Sequence, residues 1–223
     1  AGQTASQRMK MYAQDWNIES GPMEDTSISL GKALYRSQSI YSMMMNDLAE
    51  TARKGGAMYR PRLSYRGLEL VKLGTNETIW SFEYDRNIEN YSRIQTLEGA
   101  TTQVKLLGTY TPSESESELP TPVIAIEKGD TDQFGTLQRI YQMNNDQNHA
   151  QAREAARNLL SGLQETISVT TIDVNTIRAG DKVLLDNNEY IVMTVKHELG
   201  SPGHMTMDLG IESYVRRQLY YER

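Results

Sequence analysis

Apolar residues recur along this chain in two rhythms, one helical and one alternating, and each predicts an element. Met9, Tyr12, Ala13 and Trp16 stand at helical spacing and predict a short helix over residues 4–16, with Ser6 as its cap, before Gly21-Pro22 interrupts the pattern. From Ser39 the run SIYSMMMNDLAETARKGG places Ile40, Met43, Met44, Leu48 and Ala52 near one stripe. Gly55-Gly56 ends this second helix, with Arg53 and Lys54 in the last turn, where cations complement the helix dipole. A third helix is predicted over residues 146–164. There Ala152, Ala155, Ala156, Leu159, Leu160 and Leu163 form a stripe opposite Arg153, Glu154, Arg157 and Asn158. Asn145 or Asp146 is its natural N-cap, and Gly162 its stop.

Between these helices the pattern shortens to strands. Residues 57–59, 62–65, 68–73, 78–82, 92–97 and 103–107 read as β, separated by turn chemistry at Arg66-Gly67, Gly74-Thr75-Asn76 and Asp85-Arg86-Asn87. Further strands follow at 123–127 and 136–142, flanking an irregular GDTDQFG, and at 167–174 and 182–185. Residues 190–214 alternate with period two, predicting a long hairpin around Gly200-Ser201-Pro202-Gly203. Ile191, Met193 and Val195 fall on one face, and Tyr190, Val192, Thr194 and Lys196 on the other; Met205, Met207, Leu209 and Ile211 alternate likewise. The expected class is α+β, with antiparallel β-barrel-like domains each braced by helices, since an open sheet would leave long edges exposed. The Pro/Ser/Glu-rich stretch 111–122 has little to bury, so it is expected to link a two-helix α+β domain (1–110) to a barrel-like domain with one helix (123–223).

Composition narrows the function classes. The net charge of −6, from 29 acidic and 23 basic residues without a Lys/Arg block, argues against specific nucleic-acid binding. Cysteine is absent, which excludes disulfides, thiolate zinc sites and a cysteine nucleophile and is compatible with assembly in a bacterial cytoplasm. No run approaches the roughly 20 apolar residues of a membrane span, and AGQTASQRMKMY has no signal-peptide core, so no membrane contact is expected from the sequence. The 13 tyrosines, against two each of Phe and Trp, suit half-buried sheet faces and interfaces.

Catalytic and metal-binding patterns are weak. HELGSPGH is not HExxH, because His197 and His204 stand seven positions apart across a turn, and two imidazoles alone make a poor metal site; both read as surface residues, as does His149 in the first turn of its helix. The acidic pairs Glu24/Asp25, Asp130/Asp132 and Glu114/Glu116/Glu118 lie in polar loops without an apolar pocket to separate their pKa values. GDTDQFG lacks the calcium-loop register, and there is no GxSxG, GxxxxGK[ST] or GxGxxG. No catalytic residue, cofactor or metal is expected.

The order of pieces carries a resemblance. Val104-Lys105-Leu106-Leu107-Gly108, Phe134-Gly135-Thr136-Leu137, the Ala-rich helix over 150–160, Ile177-Arg178-Ala179-Gly180-Asp181-Lys182-Val183 and residues 190–212 together make the chain similar to the XkdQ/YqbQ family of prophage tail proteins. That family is related to the baseplate hubs of contractile phage tails and R-type bacteriocins. The resemblance implies a non-enzymatic structural hub in a virion or phage-tail-like particle, a ring-shaped homotrimer of tube-forming domains joining tail tube to central spike. The implied partners are the tail tube protein, the spike, other baseplate subunits and the tape-measure protein. Family members carry a further β-rich portion before the first helix, so this sequence reads as a shortened hub or the later part of one. The expected packing residues are Tyr190, Val192, Thr194, Met205, Met207, Leu209 and Tyr214, with Tyr35, Tyr65 and Tyr84 as further interface candidates. The alternatives are a peptidoglycan-degrading tail hydrolase and a carbohydrate- or receptor-binding module.

Overall fold

The computed structural model describes residues 2–109, 121–145 and 147–221. It is mixed α+β and mostly strands, with five helices among the described residues and a sheet curled as a half-barrel. In chain order the elements are α1 (Ala5–Asp15), β1 (Ser20–Met23), α2 (Ile40–Arg53), β2 (Tyr59–Ser64), β3 (Gly67–Lys72), β4 (Trp80–Phe82), β5 (Ile88–Thr96), β6 (Gln103–Leu107), β7 (Val123–Lys128), α3 (Thr131–Phe134), β8 (Gln138–Gln142), α4 (His149–Asn158), β9 (Gln164–Ile172), β10 (Lys182–Leu185), β11 (Asn188–Glu198), β12 (His204–Gly210) and α5 (Glu212–Tyr220).

Composition places a domain boundary at 111–122, of which 111–120 fall outside the described residues. Two compact units are Ala1–Ile94 with Thr166–Arg223, and Gln95–Glu165. The larger unit is discontinuous because β5 and β9, distant in sequence, are neighbours in one sheet of order β4-β10-β11-β12-β9-β5.

In the larger unit α1 begins at Thr4, whose hydroxyl accepts from the Gln7 backbone N–H while the Gln7 side chain accepts from the Thr4 N–H, a reciprocal cap. Ser6, the expected cap, already lies inside the first turn. Ser39 caps α2, and Met44, Met45, Leu48, Ala49 and Ala52 bury its inner face. Gly55, at φ +85°, ends it in the left-handed region. One apolar cluster joins α1, α2 and α5 to β2 and β3 through Met9, Met45, Leu48, Leu70, Val215 and Tyr220. A second, with Phe82, Ile167, Val183, Met205, Met207 and Leu209, fills the inner face of the six-stranded sheet. The sheet is antiparallel from β10 through β9, but β4 joins it parallel to β10, and β1 pairs parallel with β3. The expected α+β class with a barrel-like sheet is thus met, and parallel pairs are added to the antiparallel ones.

The hairpin is shorter than its predicted span. It ends at Gly210, and Tyr214 belongs to α5. A register shift between Val192 and Thr194 makes Met193 an extra residue. Ile191 and Met193 consequently pack with the helical cluster, whereas Val192 and Val195 pack with the sheet cluster. Ile191 and Val195 thus occupy opposite faces, because the bulge shifts a period-two pattern by one residue.

In the smaller unit β6 pairs antiparallel with β7 and parallel with β8, and α4 packs on β6 and β7. Val104, Leu106, Ala152, Ala156 and Leu159 are buried. Asn148 caps α4 with a reciprocal bond to Gln151, in place of Asn145, and Asp146 lies outside the described residues. The helix closes at Leu159 instead of Gly162 and leaves Leu163 exposed. GDTDQFG contains the single-turn α3.

Candidate interaction surface

The sheet β1-β3-β2 ends in an open edge at β2. Strand β3 gives alternate residues to its two neighbours: Leu68 N–H donates to the Glu19 carbonyl and the Leu70 carbonyl accepts from Glu24, while Leu73 N–H donates to the Met58 carbonyl. With Arg60 opposite Val71 and Arg62 opposite Glu69, that alternation assigns the backbone groups of Arg60, Arg62 and Ser64 to β3. Tyr59, Pro61 and Leu63 direct theirs outward. The Tyr59 carbonyl accepts from the Tyr220 hydroxyl (2.6 Å), and Pro61 has no N–H, a residue tolerated at edges for that reason. The outward edge consists of the Pro61 carbonyl and both backbone groups of Leu63.

Beside this edge lies a cleft of about 380 Å³, within the range of ligand-binding clefts. Residues 60–63 form one wall, and Lys72, Arg178, Gly180, Asp181, Val195 and His197 contribute to the rest. Among its lining residues are the arginines Arg60, Arg62 and Arg178 and the carboxylate Asp181. Arg62 also grips buried Glu69 through Nε (3.0 Å) and Nη2 (2.7 Å), with Ser64 Oγ (2.8 Å) and Arg66 Nε (3.1 Å) completing the cage. The Arg62 bonds hold the Glu69 carboxyl below its ordinary range despite burial. Arg60 Nη1 donates to the carbonyl of the bulge residue Met193 (3.3 Å). Burial pushes the Asp181 carboxyl up, opposed by the bond from Arg178 N–H. His197 is half-buried and held at both nitrogens, Nδ1 by Asp173 (2.6 Å) and Nε2 by the Ile177 carbonyl (3.1 Å). His204, beside Glu89 (2.8 Å), is likewise half-buried, and His149 is exposed.

A second polar cluster is structural. Asp47, fully buried on α2, receives Arg8 Nη1 (2.6 Å), Tyr12 OH (2.7 Å) and Tyr35 OH (2.6 Å). Arg8 also donates to the Gly31 carbonyl, fastening the segment that follows β1. Burial, and then the neighbouring Asp47, push both phenols well above their ordinary value.

The expected packing residues separate. Val192, Met205, Met207 and Leu209 are buried in the sheet cluster. Tyr190 packs against the same cluster. Thr194 is exposed and donates to Asp208 (2.6 Å), and the Tyr214 hydroxyl accepts from Thr166 (3.2 Å). Tyr35 is tied to Asp47, Tyr84 stands edge-on to Tyr91 at 4.4 Å, and Tyr65, just past β2, is 93% exposed. The cleft cations escaped sequence reasoning: Arg60, Arg62 and Lys72 lie in ordinary strands, and only folding brings them to Arg178.

Among the described residues no group of three or more His, Cys, Asp or Glu is arranged to hold a metal, and no helix is long and apolar enough to cross a membrane. A family model described as YQBQ-like matches residues 1–212. No curated protein matches at a significant level. Among solved structures, the tail protein from Neisseria meningitidis MC58 is similar at TM-score 0.63 and 17% identity, over 98% of this chain and 70% of that one. The prophage MuSo2 43 kDa tail protein from Shewanella oneidensis is similar at TM-score 0.69 and 10% identity, over 96% of this chain and 67% of that one. At these identities the likeness is one of fold.

Proposed function

We propose, from the premise that this chain belongs to the YQBQ-like family, that it is a structural subunit of a phage tail or phage-tail-like particle. The observation that carries the reading is the shared fold with two phage tail proteins across nearly the whole chain. The finer role we assign is that of a baseplate hub, a homotrimer contacting tail tube, spike and other baseplate subunits. It acts mechanically, by holding neighbours in register through contacts spread over protomer surfaces. The open β2 edge and the exposed Leu63, Tyr65 and Leu199 supply material for such contacts. Tube packing then falls to exposed residues such as Thr194, since four of the expected packing residues serve the protomer's own core.

The test is to purify intact particles carrying a tagged copy and locate it by cryo-electron microscopy. Three copies in a ring between tube and spike are expected. A chain absent from purified particles, or clearing of peptidoglycan in a zymogram by the pure chain, overturns the reading.

A further inference from the structure

We propose that the arginine-lined cleft beside β2 receives the acidic turns of a second copy, residues 83–87 and 186–188, in a head-to-tail contact between protomers. This rests on reading the chain as a self-assembling tail subunit and specifies one contact by which it would do so.

The cleft holds cations that the protomer leaves uncompensated. Arg62 is engaged by Glu69, and Asp181 accepts from the Arg178 backbone N–H. Arg60 Nη1 donates to the Met193 carbonyl and Arg178 Nη1 to the carbonyls of Asn175 and Ile177; among the described residues neither guanidinium meets a carboxylate. Both line the one cleft, together with exposed Leu63.

The turns carry the complement. Strand β4 lies parallel to β10, so the turn after Phe82 and the turn after Leu185 leave the sheet side by side, with Asp186 N–H donating to the Phe82 carbonyl. Asp85 and Asp186 are exposed, and among the described residues neither carboxylate has a hydrogen bond or an ion pair, whereas Glu83 already holds Arg86 (3.1 Å). Two uncompensated carboxylates thus match two uncompensated guanidiniums, a pairing that arginine makes in bidentate geometry. Tyr84, exposed beside Asp85, offers an aromatic face to the neighbour's Leu63. Position selects a second copy. Asp181 of the cleft and Asp186 of the turns flank β10, roughly 16 Å apart in an extended strand, so the two surfaces lie at opposite ends of one element. One protomer cannot bring them together, and two different patches meeting between copies make a heterologous contact, the kind from which rings close.

The experiment measures self-association of the full chain by sedimentation velocity. A turn variant, Asp85→Asn with Asp186→Asn, removes both charges at exposed positions, and asparagine suits the left-handed backbone of Asp186 at φ +46°. It is expected to raise the dissociation constant at least about tenfold, and a cleft variant, Arg60→Gln with Arg178→Gln, comparably. An equimolar mixture of the two variants should form a one-to-one complex that grows no further, because only the intact turns of one meet the intact cleft of the other. Equal association of the turn variant and wild type, a wild-type monomer, or a mixture no better associated than its components overturns the proposal. Should the cleft variant lose its native circular dichroism, Arg178→Gln alone, at an exposed position, takes its place and the same outcomes decide. Particles that incorporate the turn variant as well as wild type would sink this contact yet leave the structural-subunit reading standing.

Discussion

Three donors converge on Asp47, and removing it would strand the buried Arg8 guanidinium without its carboxylate. Breaking a buried pair on one side costs about 3–5 kcal/mol, so Asp47→Ala should shift the urea midpoint strongly; a cost below about 1 kcal/mol would contradict the assignment. Gly67 is fixed by a different constraint. It sits at φ +95°, and a Cβ there would lie 2.2 Å from the Glu19 carbonyl oxygen. Gly67→Ala is expected to cost at least about 1–3 kcal/mol in the same assay. Glu127 carries a pH dependence: bonds from Arg153 (2.8 Å) and Arg157 (3.0 Å) hold its carboxyl below the ordinary 4.5 in the folded state. A depressed folded pKa stabilises the fold above the unfolded value, and the stability is lost as pH falls through the folded one. Wild type should therefore melt above Glu127→Gln at pH 7, with the gap shrinking below about pH 4.5. A gap unchanged down to pH 3 would exclude this linkage.

At the scale of elements, α5 shows what periodicity misses. Its buried positions are Val215, Arg217 and Tyr220, and Ile211 at its N-cap makes no side-chain capping bond, so neither a regular apolar stripe nor a cap announces it. Packing decides it. Gly210 allows the approach, since a Cβ there would meet Met193 Sδ at 2.8 Å and Val215 Cγ2 at 3.0 Å, and Tyr220 anchors the far end in the helical cluster. Truncating a buried aromatic costs about 3–5 kcal/mol, whereas losing one hydrogen-bond partner costs about 1–3 kcal/mol. Tyr220→Ala should accordingly destabilise more than Tyr220→Phe, which removes only the hydroxyl that reaches the Tyr59 carbonyl. Equal melting temperatures for the two variants would mean that ring packing contributes little. The bulge at Met193 was equally hidden, because a register shift is a relation between β11 and β12 that neither strand spells alone.

For the whole molecule, the smaller unit lies in sequence between two neighbouring strands of the larger one, β5 and β9. Adjacent strands run about 4.8 Å apart, so their ends need only a short connection. Replacing residues 97–163 by a short Gly/Ser loop should leave the larger unit folded, with amide resonances of the β10–β12 residues and of α2 close to those of the full chain; collapse of that spectrum would refute the division. The sequence by itself determined what is local: amphipathic helices at α1, α2 and α4, strands β6 and β10 to the residue, and the family itself through the order of its motifs. These depend on periodicity and turn chemistry within a few neighbouring residues. Only the tertiary structure decided the discontinuous unit, α5, the phase shift in β11 and the cleft of Arg60, Arg62, Lys72 and Arg178. Each of these depends on which distant segments pair, which no local window of the sequence contains.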